Sequence, residues 1–522
     1  MVSPPGAGIA VAAAGGIGVP PVPPASVPPA YSASAEGPAA VAPLLPPPGR
    51  SRNGPRRLLT GLAGGVAVLT ALGIGMVSAL VDDGADTTAA ASPATVTARS
   101  AEHERDLAAN SVLGKLNAAL TAGNAAAFDA AVDPSAPPSF RDHERTVFQG
   151  LTALKPYATF QYRWTSRSLT VPASGAASSA DSFRAYIDLV YAFTGYDHSP
   201  VTDVVGVTFT RRNGTWYLSS DSELDDALAL GGQFEPWSTG PVSVSQHGKA
   251  LVIGDPAHKA QNDRLAQRLD DDLAPVGQAW PVNSWNGRVI AYASTQQPFV
   301  TSWFGTHAAT NRKIDPSGDA TFEAKVRVLP SSEVISGADT FTPAAPRLVV
   351  TPYLLGRDDA YTKAVLRHEL THVALALEGS RRPPAWLVEG VAEYTGFRAT
   401  AGKKVDGVQA LAQRGLRKDT WTQLRRGAWA PDLVASDDAF YSGSEIEVDN
   451  AYTSAWFTCL YIADHYGEAK LRELYAAAAA QPDGTSQESV ETAALQSVLH
   501  TDRATLLTAT KAYARQLRTH FV

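Results

Sequence analysis

The sequence predicts an α+β protein in which a single transmembrane helix is followed by two folded regions. Three observations favour this class. Residues 58–81 form an apolar run without one charged side chain. Between residues 99 and 235, helical apolar spacing is followed by strand-like alternation. Residues 242–522 show the reverse order, with strand-like runs first and helices afterwards.

The N-terminal residues 1–57 are rich in Pro, Ala and Gly and include the run "VPPVPPASVPP". Such a composition offers too little apolar surface to offset the entropy cost of folding. We therefore expect a disordered cytoplasmic tail. Its proline-rich segments are suited to binding a cytoplasmic partner in the extended polyproline conformation.

The apolar run 58–81 is long enough to cross a bilayer, since roughly 20 apolar residues suffice. The alternatives are a buried core helix and the apolar part of a signal peptide, which is usually shorter. Basic residues precede the run and acidic residues follow it, namely Arg50, Arg52, Arg56 and Arg57 before it and Asp82, Asp83 and Asp86 after it. The positive-inside rule then places the tail in the cytoplasm. We expect a single-pass protein of the cell membrane whose remaining residues lie outside.

Residues 82–98 are expected to form a linker, and residues 99–235 a first α+β domain. Apolar residues at helical spacing mark the segment 107–132, and they are Leu113, Leu116, Leu120 and Phe128. Strand-like runs follow, and within the last of them Asn213-Gly214 predicts a tight hairpin turn. Helices followed by antiparallel strands, closed by "GTWYLSSD", are similar to the cone of the nuclear transport factor 2-like superfamily. Because no set of His, Asp or Tyr residues at catalytic spacing occurs in this region, we expect a spacer or binding module there.

The second folded region, residues 242–522, begins after a Gly/Pro/Ser-rich boundary at 231–243. Its first part predicts a mixed sheet with one amphipathic helix, from the runs "KALVIGD", "RVIAYAST", "AKVRVLP" and "RLVVTPYLL" and the helical segment "AHKAQNDRLAQRLDDDLAPVGQAW". The single cysteine, Cys459, lies among apolar and aromatic residues and is expected to be a small core residue.

The segment "RHELTHVALA" carries the first polar motif of this region. His368 and His372 are four positions apart, so one helix can direct both imidazoles at the same point, as two ligands of a tetrahedral Zn²⁺ site. Glu369 lies beside this face and can reach a water at the metal, which suits a general base. The alternative is an ordinary polar turn of a buried helix.

A second helix, within "PPAWLVEGVAEYTG", supplies Glu389 as the third expected zinc ligand. Glu393 lies one turn further on the same face and suits a bond to the other ring nitrogen of His368. The alternative is that both glutamates face solvent. Their apolar neighbours, including Trp386 and Val391, argue against it.

"HELTH" followed by "WLVEGVAEY" resembles the gluzincin (MA-clan, peptidase MA-like) metallopeptidases, closely over 350–480 and loosely over 242–349. The resemblance implies a mixed sheet, an active-site helix and a following helical subdomain. It also implies that Tyr452, in "AYTSAWFTCLYIADHYG" after the acidic segment "SGSEIEVDN", contacts the reacting carbonyl. The alternative is that Tyr452 packs against the core at the start of its helix, and Tyr441 or His465 would then be the substitutes. The strand "RLVVTPYLL" would be the edge strand that aligns a peptide. The metzincin pattern does not fit, because it requires Gly and His where Leu375 and Glu378 stand.

These expectations combine into a membrane-anchored, extracytoplasmic zinc metallopeptidase. It would bind one Zn²⁺ per chain and hydrolyse peptide bonds by a zinc-activated water with Glu369 as general base. No counterpart of the "GxMEN" motif, with which aminopeptidases recognise a free N-terminus, occurs in the sequence. The sequence does not decide between endopeptidase and exopeptidase activity. A membrane-tethered binding or sensing protein with a degenerate peptidase fold is the alternative. Nucleic acid is not an expected partner, since the net charge is −7 and no basic block follows the membrane span.

Overall fold

The computed structural model of the chain describes residues 93–164, 181–221, 234–304, 324–330, 343–357, 360–378, 383–400, 403–404, 407–416, 418–433, 440, 445–482 and 484–521. The predicted tail at 1–57, the predicted span at 58–81 and most of the predicted linker lie outside these residues. Within them, no helix combines the length and apolarity that a membrane crossing requires. The described chain has a mixed α+β fold, as the sequence predicts.

The first region consists of helices followed by an antiparallel sheet. Its elements are α1 (Pro93–Ala122), α2 (Ala125–Asp129), α3 (Pro138–Leu154), β1 (Ala158–Arg163), β2 (Ser182–Phe193), β3 (Val201–Arg212) and β4 (Thr215–Ser220). The strand order is β1-β2-β3-β4. Helix α1 begins inside the expected linker. The sequence did not indicate this start, because the first turns contain Ala and Thr without an apolar stripe.

The predicted hairpin between β3 and β4 is confirmed. Arg212 pairs with Thr215, which leaves Asn213 and Gly214 as the two turn residues. Both have positive φ angles, 50° and 80°. A two-residue turn of this kind requires the left-handed conformation at both positions, and Asn and Gly tolerate it best.

The second region opens with a five-stranded mixed sheet. Its elements are α4 (Pro236–Thr239), β5 (Ser243–His247), β6 (Ala250–Gly254), a 3₁₀ turn (Pro256–His258), α5 (Lys259–Ala279), β7 (Val289–Ala293), α6 (Gln297–Phe304), β8 (Ala324–Pro330), β9 (Pro343–Val350) and α7 (Pro352–Leu355). The strand order is β5-β6-β7-β9-β8. β6, β7 and β9 run parallel, and the two outer strands are antiparallel to their neighbours.

This order corrects the expected edge strand. The segment "RLVVTPYLL" belongs to β9 and α7, and β9 lies between β7 and β8. Leu348 of β9 pairs on both sides, with Ala291 of β7 and with Val326 of β8. On this side the edge of the described sheet is β8, which precedes β9 in the chain, and β5 forms the opposite edge. The prediction that β9 forms the edge is wrong, because the order of strands in the sheet differs from their order in the chain.

Helices make up most of the rest of the described chain. Its elements are α8 (Ala360–Leu375), α9 (Ala385–Arg398), the short strands β10 (Ala399–Thr400) and β11 (Lys403–Lys404), α10 (Gly407–Arg414), α11 (Lys418–Arg425), α12 (Glu445–His465), α13 (Glu468–Ala479), α14 (Gln487–Ala494), a π-helical turn (Leu495–Leu499), α15 (Arg503–Arg518) and a 3₁₀ turn (Thr519–Phe521). This agrees with the expected helical part after the sheet.

The two regions share one hydrophobic core. Trp237 of α4, at the start of the second region, is fully buried, and it packs against Tyr191 of the first sheet and Tyr292 of the second. Arg347 of β9 forms two bonds, of 2.7 and 2.8 Å, with the carboxylate of Asp197 in the first region. Both side chains are almost completely inaccessible to solvent. A desolvated bidentate pair of this kind fixes the orientation of the groups that it joins.

Candidate metal centre

Helix α8 is held by apolar packing on one side, which leaves its polar motif facing α9. Leu366, Leu370 and Val373 are buried in a cluster formed with α5 and one face of the five-stranded sheet. Their spacing of three and four residues places them on one face of the helix. His368 and His372 lie on another face, one turn apart, and both belong to the HExxH motif.

Helix α9 packs unusually close to α8, and Gly396 of α9 makes this possible. A Cβ atom at Gly396 would lie 2.7 Å from the carbonyl oxygen of Ala364 on α8, closer than packed atoms tolerate. This approach brings Glu389 and Glu393 of α9 against the histidines. Glu389 is completely buried, so the alternative of a solvent-facing residue is wrong for it.

Three donor atoms from the two helices converge. The Nε2 atoms of His368 and His372 are 3.0 Å apart, and they lie 3.2 and 3.4 Å from the same oxygen of Glu389, Oε2. Zinc bonds of about 2.0 to 2.2 Å at a tetrahedral angle separate neighbouring donors by about 3.3 to 3.6 Å. The observed spacing is close to this value, and the donor set of two imidazoles and one carboxylate is one that Zn²⁺ accepts. The residues therefore fit the metal.

The second nitrogen of His368 is also engaged. Its Nδ1 lies 3.3 Å from Oε1 of Glu393, the contact expected for that glutamate. Oε2 of Glu393 in turn accepts a 2.8 Å bond from Nε of Arg414. Arg414 also donates a 3.2 Å bond to the hydroxyl of Thr453 on α12. A carboxylate bound to the outer nitrogen fixes the ring orientation and the tautomer that leaves Nε2 free to bind a metal.

The charges of this cluster change the pKa values of its members. Burial opposes ionisation of Glu389, but the charges and hydrogen bonds of His372 and His368 outweigh it and hold the pKa of this carboxyl below its usual range. Burial also disfavours a charged His368, yet the bonds with Glu389 and Glu393 raise the pKa of that imidazole well above 6.5. The negative charge that favours a proton between the histidines and Glu389 would also favour a divalent cation there. Binding of the cation would release the proton.

Glu369 lies beside the convergent donors without joining them. Its side chain is buried, and burial raises the pKa of the carboxyl. Among the described residues no hydrogen bond engages this carboxylate, and the charges of its neighbours act on it through space. One of these neighbours is Lys325 on the edge strand β8, whose pKa is lowered to about 8, first by burial and next by the charge of Arg327.

Tyr452 lies next to the cluster. Its ring centroid is 6.1 Å from that of His368 and 5.2 Å from that of Phe440. Helix α12 begins at Glu445, so Tyr452 is in the interior of the helix and the acidic segment before it is partly helical. Gly390 permits this arrangement, because a Cβ atom there would lie 2.7 Å from Sγ of Cys459. Cys459 is fully buried in the core, as predicted.

The structure tests one of the two residues that were considered as substitutes for Tyr452. Tyr441 lies outside the described residues. His465 is the last residue of α12, exposed and stacked on Tyr461 at a centroid distance of 5.2 Å. It is 13 residues beyond Tyr452, which corresponds to about 20 Å along a helix. The hypothesis that His465 could replace Tyr452 at the site is wrong.

Two further residues of the site were not predicted from the sequence. Arg414 belongs to a different helix from Glu393, and Lys325 precedes the motif by more than 40 positions. Neither has a spacing that would connect it with the histidines. Their positions depend on tertiary packing alone.

The chain was compared with protein-family models, with curated proteins and with solved structures, and none of the three comparisons finds a match.

Proposed function

We propose that this protein is a metallopeptidase that uses one Zn²⁺ ion per chain to hydrolyse peptide bonds. The observation that carries the proposal is the convergence of His368 Nε2, His372 Nε2 and Glu389 Oε2 at mutual distances of 3.0 to 3.4 Å. Three protein ligands leave one position of a tetrahedral site for water or substrate, as in catalytic zinc centres. The adjacent, buried Glu369 supplies the base that hydrolysis requires.

Each residue has a distinct role in this mechanism. A Zn²⁺ ion held by His368, His372 and Glu389 would supply Lewis-acid chemistry, which lowers the pKa of a water molecule and polarises a carbonyl. Glu369 takes the proton from the water and passes it to the nitrogen of the departing amine. Glu393 and Arg414 hold the ring of His368 in place. The hydroxyl of Tyr452 donates a hydrogen bond to the carbonyl oxygen as negative charge develops there.

The edge strand β8 is the proposed guide for the substrate. It is the outermost strand next to β9 in the described sheet and lies beside α8. The free edge of a strand offers backbone donors and acceptors to an extended peptide, which can add to the sheet as a further strand. A peptide bound in this way would pass close to Glu369, because β8 packs beside α8, the helix that carries this glutamate. This supports a peptide or unfolded protein segment as substrate.

The finer architecture belongs to the same proposal. We place residues 242–522 in a gluzincin-type domain and residues 99–235 in a nuclear transport factor 2-like domain that acts as a spacer or binding module. The antiparallel four-stranded order of the first region and the helix pair α8 and α9 of the second support these assignments. Residues 58–81 would anchor both domains to the outer face of the cell membrane.

An unbiased peptide mixture tests the proposed function. The full-length chain, purified in detergent with zinc, should cut peptides in the mixture, and mass spectrometry should detect new termini. The alternative of a binding or sensing protein predicts that zinc binds while every peptide stays intact. That result would overturn the proposed activity and leave the metal site in place.

Tyr452→Phe should lower kcat by roughly 10²- to 10³-fold and leave KM almost unchanged. The reason is that the hydrogen bond from the Tyr452 hydroxyl to the carbonyl oxygen strengthens only as negative charge develops in the transition state. The replacement keeps the ring that packs beside His368. The measurement is steady-state turnover of a peptide substrate. Tyr461→Phe is the matched control, since Tyr461 lies on the same helix and stacks on His465 at its far end. A Tyr452→Phe variant with parental kcat would make Tyr452 a packing residue.

External protease added to intact cells should digest the protein from about residue 95 onwards and spare the proline-rich tail. The reason is the arginine-before, aspartate-after pattern around residues 58–81. Antibodies against tags at the two termini provide the measurement, and permeabilised cells provide the control in which both tags become accessible. Protection of the C-terminal tag in intact cells would reverse the proposed orientation.

A further inference from the structure

A second convergence of metal-binding side chains lies in the first region. His143 and Glu144 are consecutive residues of α3, and Asp221 directly follows β4. Nε2 of His143 is 3.1 Å from Oδ2 of Asp221. One possible ligand atom from each of the three residues lies within 4.8 Å of the others. Asp221 is 78 positions from His143 in the sequence, so no local motif indicates this group.

Glu144 is the unusual member of the group. Its side chain belongs to the face of α3 that packs inward with Val147, Phe148 and Leu151, and only 4% of the residue is exposed. In the described part of the chain no hydrogen bond reaches its carboxylate. Burial, and after it the nearby charge of Asp221, raises the pKa of Glu144 to about 8.

A pKa of about 8 keeps Glu144 protonated at neutral pH, so the metal-free protein holds an unbonded neutral acid at this buried position. Among the described residues, the charges that act on Glu144 are those of Asp221, which repels it, and of His143, which attracts it when protonated. The ion pair between His143 and Asp221 engages two of the three residues and leaves the acid of Glu144 without a hydrogen bond among the described residues. A divalent cation bound by all three would displace the proton of Glu144, neutralise both carboxylates and bond the imidazole.

We propose that His143, Glu144 and Asp221 form a second metal site, independent of the proposed catalytic centre, that binds a divalent transition-metal ion of the Zn²⁺ or Mn²⁺ type. One imidazole nitrogen and two carboxylate oxygens match the ligand preference of these ions better than that of Ca²⁺, which is bound by oxygen alone. The remaining coordination positions face solvent, since the side chains of His143 and Asp221 are 37% and 22% exposed.

A metal bound at this site would stabilise the folded first region by cross-linking two of its elements. It joins the first half of α3 to the end of β4, two elements that are far apart in the chain. A metal that binds the folded but not the unfolded form raises the melting temperature as its concentration increases. The effect belongs to the first region and needs no contribution from His368, His372 or Glu389.

Calorimetric titration of the metal-stripped, full-length chain with Zn²⁺ tests the proposal. The parent should bind two equivalents and Glu144→Gln one. His372→Ala should bind one equivalent, and the double variant should bind none in the same range. The affinity lost with Glu144 should exceed the roughly 10- to 100-fold cost of removing an outer partner of a metal ligand. Zinc should also raise the melting temperature of His372→Ala and leave that of the double variant unchanged.

Asp142→Asn is the matched control. Asp142 precedes His143 on the same helix, is largely exposed and pairs with Arg145, so its replacement should leave both equivalents in place. Equal zinc binding by the parent and by Glu144→Gln would overturn the second site. The proposed catalytic centre would be unaffected by that result, because its zinc disappears with His372→Ala and not with Glu144→Gln.

Discussion

Glu369→Gln should abolish most peptide turnover while the protein keeps its zinc. The substitution removes the base and preserves the size of the side chain, so kcat should fall by about 10²- to 10⁴-fold, the usual contribution of a positioned general base. Zinc content should stay at the parental value, because Glu369 lies beside the three convergent donors and is not one of them. Metal analysis and steady-state kinetics on the same preparation provide the measurement.

Glu378→Gln is a suitable control for this variant. Glu378 follows α8, is half-buried and bonds to the hydroxyl of Ser284, so its replacement reports the general cost of losing a glutamate near the helix. It should keep both zinc and turnover. If Glu369→Gln loses zinc to the same extent as activity, Glu369 is a ligand and the role of base must be assigned to another residue.

His372→Ala should lose the catalytic zinc and, with it, all measurable turnover. Removal of one of three donors leaves His368 and Glu389 as an incomplete set. Turnover should fall by at least about 10³-fold, the rate equivalent of roughly 4 kcal/mol of lost Lewis-acid stabilisation. Turnover measured at a fixed, low zinc concentration, together with metal analysis, checks both parts.

His465→Ala provides the comparison for His372→Ala. His465 is exposed at the end of α12, and its described ring contacts are with Tyr461 and Tyr466 rather than with the cluster. Its replacement should leave zinc content and turnover at parental values. Full activity of His372→Ala at low zinc would mean that His372 is not a ligand.

The sequence was most informative where the chemistry is local. His368 and His372 are placed together by the geometry of one helix, whatever the rest of the fold does. Asn213-Gly214 determines its hairpin in the same way, because the turn needs two residues that tolerate positive φ. Glu389 could be predicted because its helix follows after one short reversal of the chain and carries apolar residues around the glutamate.

Features that depend on non-local packing could not be predicted. The positions of β8 and β9 in the sheet depend on which of the two strands pairs with β7. Arg414 reaches Glu393 from a separate helix. The carboxylates of Asp221 and Glu144 lie close together only because β4 ends beside α3. The sequence of the first region therefore indicated no metal-binding group. In each case the partners are far apart in the chain, and no periodicity connects them.

The dependence of peptide turnover on added zinc tests the central claim most directly. The full-length chain is stripped of metal by a chelator, and turnover of one identified peptide is measured as Zn²⁺ is restored. We predict no turnover without zinc, recovery to the parental rate as the ion is added, and no recovery for His372→Ala at the same concentrations. Turnover that is unchanged by the chelator, or a zinc-loaded protein that leaves every peptide uncut, would contradict the proposed metallopeptidase.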